Sequence, residues 1–146
     1  TGVQTCALPI YVPSVEQQRA DAERTAVARH KSALEWFAAL AAGRSSRPRR
    51  QLPETFDTEL LTAMDAALSR AQALGRLEVY RRGFANRSMR EHIDWDQALA
   101  DPSAVVRFQL LQSLPETIHV SDERLAKLAA DPEEAVRILA KQPRKR

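Results

Sequence analysis

The sequence predicts an all-α protein, a short helical-repeat solenoid preceded by a long N-terminal helix. Its 146 residues include 44% hydrophobic but only 5% aromatic residues, with four glycines, a composition that favours helices over sheets. Apolar residues recur at spacings of three and four along several segments, as on one buried face of a helix. A motif near the C-terminus also recurs after 30 residues, which is typical of helical-repeat proteins.

Residues 1–10, TGVQTCALPI, stand apart from this pattern. One reading frame of their codons resembles a short-read sequencing adapter, so we interpret these residues as an assembly artefact; a natural N-terminal arm is the alternative. Cys6, the only cysteine, then carries no information about disulfides or thiol chemistry. On this interpretation the natural N-terminus is missing, which leaves the presence of a signal peptide open. Deleting residues 1–10 should leave thermal stability unchanged, because nothing selected them to pack.

Residues 11–43 are predicted to form the N-terminal helix. Ser14 and Gln17 fit a capping box, in which the serine accepts from the backbone and the glutamine reaches back. Gly43 fits the position just after the helix, where a positive φ costs glycine little. The apolar stripe comprises Ala22, Ala26, Ala33, Leu34, Phe37, Leu40 and Ala41. Because this stripe thickens toward the C-terminal half, we expect the first turns to project and Trp36 to lie in the core rather than stack on bases.

A basic linker is predicted over residues 44–55, which contain four arginines, two prolines and two serines. A helical unit over residues 56–93 follows it. The first helix of this unit should begin near Asp57 and end at Gly75, and a further turn or helix should end near Gly83. The predicted buried face comprises Phe56, Leu60, Leu61, Met64, Leu68, Ala71 and Leu74.

Residues 94–143 are predicted to form two similar units. The segments LADPSAVVR (99–107) and AADPEEAVR (129–137) share Asp-Pro and Val-Arg at the same spacing. In each segment we expect the aspartate to be the helix N-cap and the proline to be the first helical residue. A shorter helix should precede each segment, one beginning at Asp94 and the other at Ser121. Each unit therefore reads as helix, tight break, helix.

Weaker repetition extends upstream. The tetrapeptide LPET occurs at 52–55 and at 114–117, about two periods apart, which hints that residues 52–83 are a degenerate earlier unit. One unit cannot bury its own apolar faces, so neighbouring units stack. The core between stacked units is predicted to be lined by Leu99, Val106, Leu110, Leu125, Leu128, Val136 and Leu139.

These residues resemble bacterial HEAT-like repeats and the related variant leucine-rich repeat, whose pattern centres on Asp-Pro-x-x-x-Val-Arg. The resemblance covers residues 94–143. It implies a structural role, as caps and as a ladder between neighbouring units, for Asp101, Pro102, Arg107, Asp131, Pro132 and Arg137. The segment LPETIHVSDER (114–124) is longer than the usual loop of such repeats, and Leu110 stands where alanine is common. Some variant leucine-rich repeat proteins carry a cysteine-bound iron–sulfur cluster, but nothing here matches it and no cofactor is predicted.

No catalytic site and no metal site are predicted. Asp101 with Arg107 could act as a catalytic acid with its arginine, as in HEAT-like DNA glycosylases, but two repeats cannot supply the aromatic-lined cleft that those enzymes need. His30, His92 and His119 each lack a second ligand three or four residues away, where a helical metal site would have one. We interpret all three as surface or packing histidines.

Charge is distributed unevenly, although the net charge is only +3. Residues 43–93 contain ten basic and six acidic residues, whereas residues 94–142 contain five basic and nine acidic ones; a basic tail follows at 144–146. The candidate nucleic-acid contacts are Arg47, Arg49, Arg50, Arg81, Arg82 and Arg87, from a basic set that also includes Arg44, Arg76 and Arg90. Tyr80 and Phe84 could stack on bases beside them. An arginine-rich solvated face is the interpretation that we favour.

The sequence therefore predicts a non-enzymatic helical-repeat protein-interaction module, a fragment of a bacterial protein that lacks its true N-terminus. Its expected partner is another protein. The alternative is a nucleic-acid-associated protein that uses the basic segment 44–90. No apolar run approaches the roughly 20 residues needed to span a bilayer, so no membrane segment is predicted and a cytoplasmic location is expected.

Overall fold

The structure, a computed structural model, describes Gly2 and residues 10–144. These residues form helices and contain no strand. The helices are α1 (Val15–Ala41), α2 (Thr58–Arg70), α3 (Ala73–Ala85), α4 (Arg87–His92), α5 (Trp95–Ala98), α6 (Ala104–Ser113), α7 (Asp122–Ala129) and α8 (Glu134–Lys141). The all-α class is therefore confirmed for this part of the chain. The prediction about residues 1–10 lies outside it, apart from Gly2 and Ile10.

Helix α1 has the two ends that the sequence predicts. The Ser14 hydroxyl accepts a hydrogen bond from the Gln17 N–H (3.2 Å). The Gln17 side-chain oxygen accepts from the Tyr11 hydroxyl (2.6 Å), in place of the predicted bond back to the serine. At the other end, Gly43 has a φ of 78°, and the N–H groups of Gly43 and Arg44 donate to carbonyls of the last turn (2.9 and 3.0 Å). This is a Schellman motif, which glycine forms at low cost.

Only the C-terminal half of α1 is buried. Trp36, Phe37 and Leu40 are at most 2% exposed, and α1 packs against α2. The Phe37 ring meets the edge of Phe56, with 6.1 Å between ring centroids, a favourable aromatic geometry. Residues 15–19 are exposed but helical, so the first turns project as expected.

Residues 44–55 contact the helices at several points. The Trp36 indole N–H donates to the Ser46 carbonyl (2.9 Å), and the Asn86 side-chain amide donates to the Pro53 carbonyl (2.8 Å). Leu52 is 9% exposed and belongs to the core. This segment is basic, as predicted, but it is anchored to α1 and to the end of α3 rather than free.

Gly75 was misread as a helix end, whereas α3 ends at Ala85, near Gly83 as predicted. Helix α2 ends at Arg70, and Gly75 lies inside α3, where a Cβ would be 3.2 Å from the Ala71 Cβ and 3.3 Å from the Leu40 Cδ2. Gly83 also lies inside α3, where a Cβ would be 2.8 Å from the Ile93 Cδ1. Close packing against neighbouring elements, rather than termination, accounts for both glycines.

The break between α2 and α3 also changes the predicted α2 face. Leu60, Met64 and Ala67 are fully buried, and Leu61 and Leu68 pack against the core. Leu74 was expected on the same face, but it belongs to the first turn of α3 and is 71% exposed. The predicted face is therefore correct along α2 and wrong for Leu74.

In residues 94–143 the short helices begin as predicted. Asp94 caps α5 by accepting from the Gln97 N–H (3.2 Å), and Ser121 caps α7 by accepting from the Arg124 N–H (3.1 Å). The predicted core residues are all buried or half-buried, with Leu99, Val106, Leu110, Leu128 and Val136 at most 2% exposed and Leu125 and Leu139 packed against them.

The predicted Asp-Pro caps are wrong by two residues. The N-cap of α6 is Ser103 and that of α8 is Glu133, so Pro102 and Pro132 precede the helices instead of beginning them. The Asp101 carboxylate accepts from the Ser103 N–H (2.9 Å), and Asp131 accepts from the Glu133 N–H (2.9 Å). Each aspartate therefore closes a turn before its helix, and its carboxylate also binds an arginine of an earlier helix.

The helices pack in sequence around one core. Contacts join α1 to α2, α2 to α3, α3 to α4 and α6, α6 to α8, and α7 to α8. A single cluster of buried apolar side chains extends from Ala33 to Val136. None of the helices in residues 10–144 has the length and apolar character needed to cross a membrane.

Candidate interaction site along helices α3, α6 and α8

An arginine–aspartate pair joins α3 to the turn before α6. The Arg76 guanidinium donates from Nε and Nη2 to the two oxygens of Asp101, at 2.7 and 2.8 Å. Its Nη1 donates to the Ala71 carbonyl (2.7 Å). The side chains are 18% and 2% exposed, so this two-pronged contact lies mostly away from water. Such a fork is the strong, directional form of the interaction.

A second pair repeats this geometry one unit later. Arg107 donates from Nε and Nη2 to the oxygens of Asp131, at 2.8 and 3.0 Å. Its Nη1 donates to the Asp101 carbonyl (2.8 Å). The exposed fractions are 13% and 6%. The two pairs therefore link α3, α6 and α8 through the turns that precede α6 and α8.

Arg137 occupies the same position in the last helix. Its Nη1 donates to the carbonyls of Asp131 and Pro132, at 2.7 and 2.9 Å. No carboxylate within residues 10–144 pairs with it. Each aspartate thus binds an arginine of an earlier helix, Asp101 with Arg76 of α3 and Asp131 with Arg107 of α6. Sequence reasoning missed Arg76 in this role, because its segment lacks Asp-Pro; only its spacing of 31 residues to Arg107 could have revealed it.

The electrostatics of the pairs stabilise their charged forms. Burial alone would raise the pKa of Asp131, but hydrogen bonds from Arg107 and from the Glu133 N–H outweigh it, so this pKa is lowered. The hydrogen bond to Asp101 raises the pKa of Arg76. Burial, and secondarily the Asp101 charge, raises the pKa of Tyr80 to about 12. Asp131 and Arg76 therefore stay charged and Tyr80 stays neutral at physiological pH.

An apolar residue is exposed at the equivalent position of α3, α6 and α8, two residues before each arginine. Leu74 and Val105 each precede their arginine by two residues, and they are 71% and 55% exposed. Ala135 holds the same position before Arg137 and is exposed too. The three residues, which we call the apolar row, lie in the first turns of α3, α6 and α8.

The basic residues of segment 44–90 do not form one free surface. Arg44, Arg47 and Arg81 line a cavity of about 480 Å³, and Arg81 also donates to the Gln109 side chain (2.8 Å). Arg49 and Arg50 are exposed in the segment before α2. Arg82 pairs with Glu78 at 3.0 Å, and Arg87 pairs with Glu91 at 2.7 Å, which offsets their charge.

The aromatic residues predicted to stack on bases face the protein interior. Tyr80 is 7% exposed. The Phe84 ring stacks on Trp95 with 5.4 Å between centroids, and Tyr80 lies 6.2 Å from the same ring. The hypothesis that single-stranded bases stack on Tyr80 is therefore wrong, and Phe84, which is half-buried, already stacks on Trp95. Trp36 lies in the core, as expected.

Two histidines have partners that the sequence did not reveal. His30 Nε2 lies 2.9 Å from Asp57 Oδ2, and His92 Nε2 lies 3.0 Å from Asp65 Oδ2. These pairs attach α1 and α4 to the start and the middle of α2. The ligand atoms of His30, Asp57 and Glu59 lie within 4.8 Å of one another. Asp57 already caps α2 by accepting from the Leu60 N–H (2.9 Å), which gives it a structural role.

We compared the chain with family models, curated proteins and solved structures, and none of them matches it. The resemblance to HEAT-like and variant leucine-rich repeats therefore stays a prediction. It rests on the two Asp-Pro and Val-Arg segments of residues 94–143.

Proposed function

We propose that the chain is a non-enzymatic helical-repeat protein-interaction module, a short HEAT-like solenoid preceded by the long helix α1. The observation that carries this proposal is the apolar row. Leu74 and Val105 are large, exposed and equivalent in position on helices that pack against each other. Large apolar side chains that recur at one position of a repeat favour a binding surface over a solvated face.

The repeat itself is supported by the arginine–aspartate pairs. Arg76, Arg107 and Arg137 are 31 and 30 residues apart, and each donates its Nη1 to a carbonyl of the turn before its own helix. Equivalent contacts at a spacing that differs by only one residue are what stacked units produce. A partner segment lying across the helices would then meet one apolar residue per unit.

The apolar row has a polar border. Leu74 lines a cavity with Arg44, Arg47 and Gln72. At the other end of the row, Glu133 and Glu134 directly precede Ala135. An apolar centre with a charged rim is typical of protein interfaces. The border is basic at α3 and acidic at α8. It therefore favours a partner segment that is acidic where it meets α3 and basic where it meets α8.

The non-enzymatic part of the proposal rests on the role of Asp101. Its carboxylate, on a side chain 2% exposed, already accepts from Nε and Nη2 of Arg76 and from the Ser103 N–H. A catalytic acid must reach its substrate within hydrogen-bond distance. Saturated by internal donors, Asp101 is a structural group, which argues against the glycosylase-like alternative.

Selection of peptides from a displayed random library on the immobilised chain tests this proposal. We expect binders whose affinity falls at least tenfold for the double variant Leu74→Glu/Val105→Glu, because charge replaces the apolar contacts. Val27→Glu is the matched control, since Val27 is 68% exposed on α1. A selection without binders, or with binders equally sensitive to the control, would contradict the proposal.

The second candidate is a nucleic-acid-associated protein that uses segment 44–90. It is favoured by the convergence of Arg44, Arg47 and Arg81 on one cavity, which could receive a phosphate. Against it stand the inward orientation of Tyr80 and the pairing of Arg82 with Glu78. The predicted bacterial origin and cytoplasmic location accompany either function and stay predictions.

A further inference from the structure

We infer that the outer face of α8, formed by Arg137 and Ile138, docks a carboxylate-bearing turn and helix of another polypeptide. This inference rests on the proposed function and names the chemistry of one partner. It starts from the three equivalent arginines, of which two hold an aspartate from the next unit in the chain.

Arg137 is held in the same way as Arg107, although no carboxylate of residues 10–144 binds it. Its Nη1 donates to the carbonyls of Asp131 and Pro132, just as the Nη1 of Arg107 donates to those of Asp101 and Pro102. In Arg107 this leaves Nε and Nη2 for both oxygens of an aspartate. The same edge of Arg137 meets no carboxylate in the described part of the chain. A guanidinium fixed in this way loses little freedom when it binds a carboxylate.

The exposure of the apolar residue that follows each arginine increases from α3 to α6 to α8. Leu77, which follows Arg76, is 5% exposed, and Phe108, which follows Arg107, is half-buried. Ile138 follows Arg137 and is 54% exposed. Leu77 lines one cavity with Leu40, and Phe108 packs against the core, so neighbouring elements cover both inner positions. An isoleucine exposed next to an unpaired fork thus marks the same interface without its occupant.

The two inner interfaces define what fits. The occupant presents an aspartate in a turn just before a helix, as Asp101 and Asp131 do, and an apolar helix face against Ile138. A second copy of this chain is a poor match, because its own Asp101 and Asp131 are already bound by Arg76 and Arg107. Charge complementarity therefore favours a different polypeptide with a free aspartate of this kind.

A probe of this chemistry can be attached to the chain itself. A copy of residues 114–143 placed directly after Pro143 keeps the 24-residue separation that joins Arg107 to Asp131. In the copy, the aspartate equivalent to Asp131 is free to bind Arg137. Amide exchange in α8 should slow about tenfold or more, since hydrogen bonds to charged groups contribute that much. The added unit should also contribute helical circular dichroism from two eight-residue helices.

Two variants of the extended chain test the fork. Replacing the copied Asp131 by Asn, or making Arg137→Gln in the host, should abolish both gains. The matched control is Arg137→Gln in the unextended chain, which measures the helicity lost with the two carbonyl hydrogen bonds of Arg137 alone. Gains that survive both substitutions, or an added unit without helical signal, would overturn the inference.

Sedimentation of the unextended chain tests whether a second copy of the chain binds this face of α8. A monomer at micromolar concentration agrees with the inference, whereas a dimer lost on Ile138→Glu would identify a second copy as the occupant and overturn it. Failure of this inference is distinguishable from failure of the proposed function. The peptide selection depends on Leu74 and Val105, which these variants leave intact.

Discussion

The charge of Asp131 is a condition for the packing of α8 on α6. Its carboxylate is 6% exposed and binds two guanidinium nitrogens of Arg107. Because its pKa is lowered on folding, the unfolded chain binds a proton more readily than the folded one. The stabilisation from this group is therefore complete above the unfolded pKa of about 3.9 and is lost as the pH falls through the lower folded pKa.

The first prediction follows from this linkage. Asp131→Asn keeps the shape of the side chain but removes the charge, so it should lower the free energy of unfolding by about 2 kcal/mol at pH 6. The difference between the parent chain and the variant should shrink below pH 4, because the parent's aspartate then becomes neutral as well. Urea unfolding at a series of pH values measures it. A difference that stays constant from pH 6 to pH 2 would contradict the role assigned to the charge.

Single residues also show where sequence reasoning about the site succeeds and where it does not. The repeat spacing singled out Asp101, Arg107 and Asp131, which form the pairs. It missed Arg76, because the pair needs only an arginine at that position and tolerates Arg70-Ala71 in place of Asp-Pro. It also misjudged Tyr80, since the direction of an aromatic side chain depends on where Trp95 packs, a tertiary fact that no local pattern contains.

At the scale of elements, α8 is the helix whose packing is most easily tested. Val136 is 1% exposed and is the buried residue of this eight-residue helix. An aspartate there would be a buried carboxylate without a partner, which costs several kcal/mol. Val136→Asp should therefore unfold α8 while the earlier helices persist. Hydrogen exchange should show rapid exchange across Glu134–Lys141.

The control for this prediction is Val105→Asp. Val105 is 55% exposed in the first turn of α6, where an acidic side chain is favourable to the helix, so the melting temperature should change little. Full protection of α8 in Val136→Asp, with an unchanged melt, would show that the helix does not depend on its buried face.

The helix ends show how far local rules reach. Ser14, Asp57, Asp94 and Ser121 were each expected at or near a helix start, and all four cap one. A cap needs only a side-chain oxygen within a few residues of a free N–H, so sequence reveals it. Asp101 has the same chemistry, but it binds Arg76 and caps a turn instead. Where a tertiary partner competes for the same oxygen, local rules place the helix start too early.

Across the whole molecule, charge separates along the chain. Residues 43–93 have an excess of basic residues and residues 94–142 an excess of acidic ones. The excess in the first part is reduced locally, since Arg76 is bound by Asp101 and Arg82 by Glu78. The arginines that remain exposed lie mostly in the segment before α2. The net excess of acidic residues in 94–142 weakens the attraction of the chain as a whole for a polyanion.

The last prediction decides between the two candidate functions. If the chain is a protein-binding module, single-stranded and duplex DNA should bind at about 10⁻⁴ M or more weakly at physiological salt, as in non-specific association. The double variant Arg81→Ala/Arg82→Ala should then change this affinity little, because Arg82 pairs with Glu78 and Arg81 with Gln109. Arg44→Ala/Arg47→Ala, which empties the cavity of two cations, should reduce the salt slope by at most about two units. Fluorescence anisotropy over a salt series measures both variants beside a control, Arg19→Ala/Arg24→Ala on α1. Sub-micromolar, salt-resistant binding that is lost with Arg44 and Arg47 would establish the nucleic-acid function instead, because only a built phosphate site could hold a strand against competing ions.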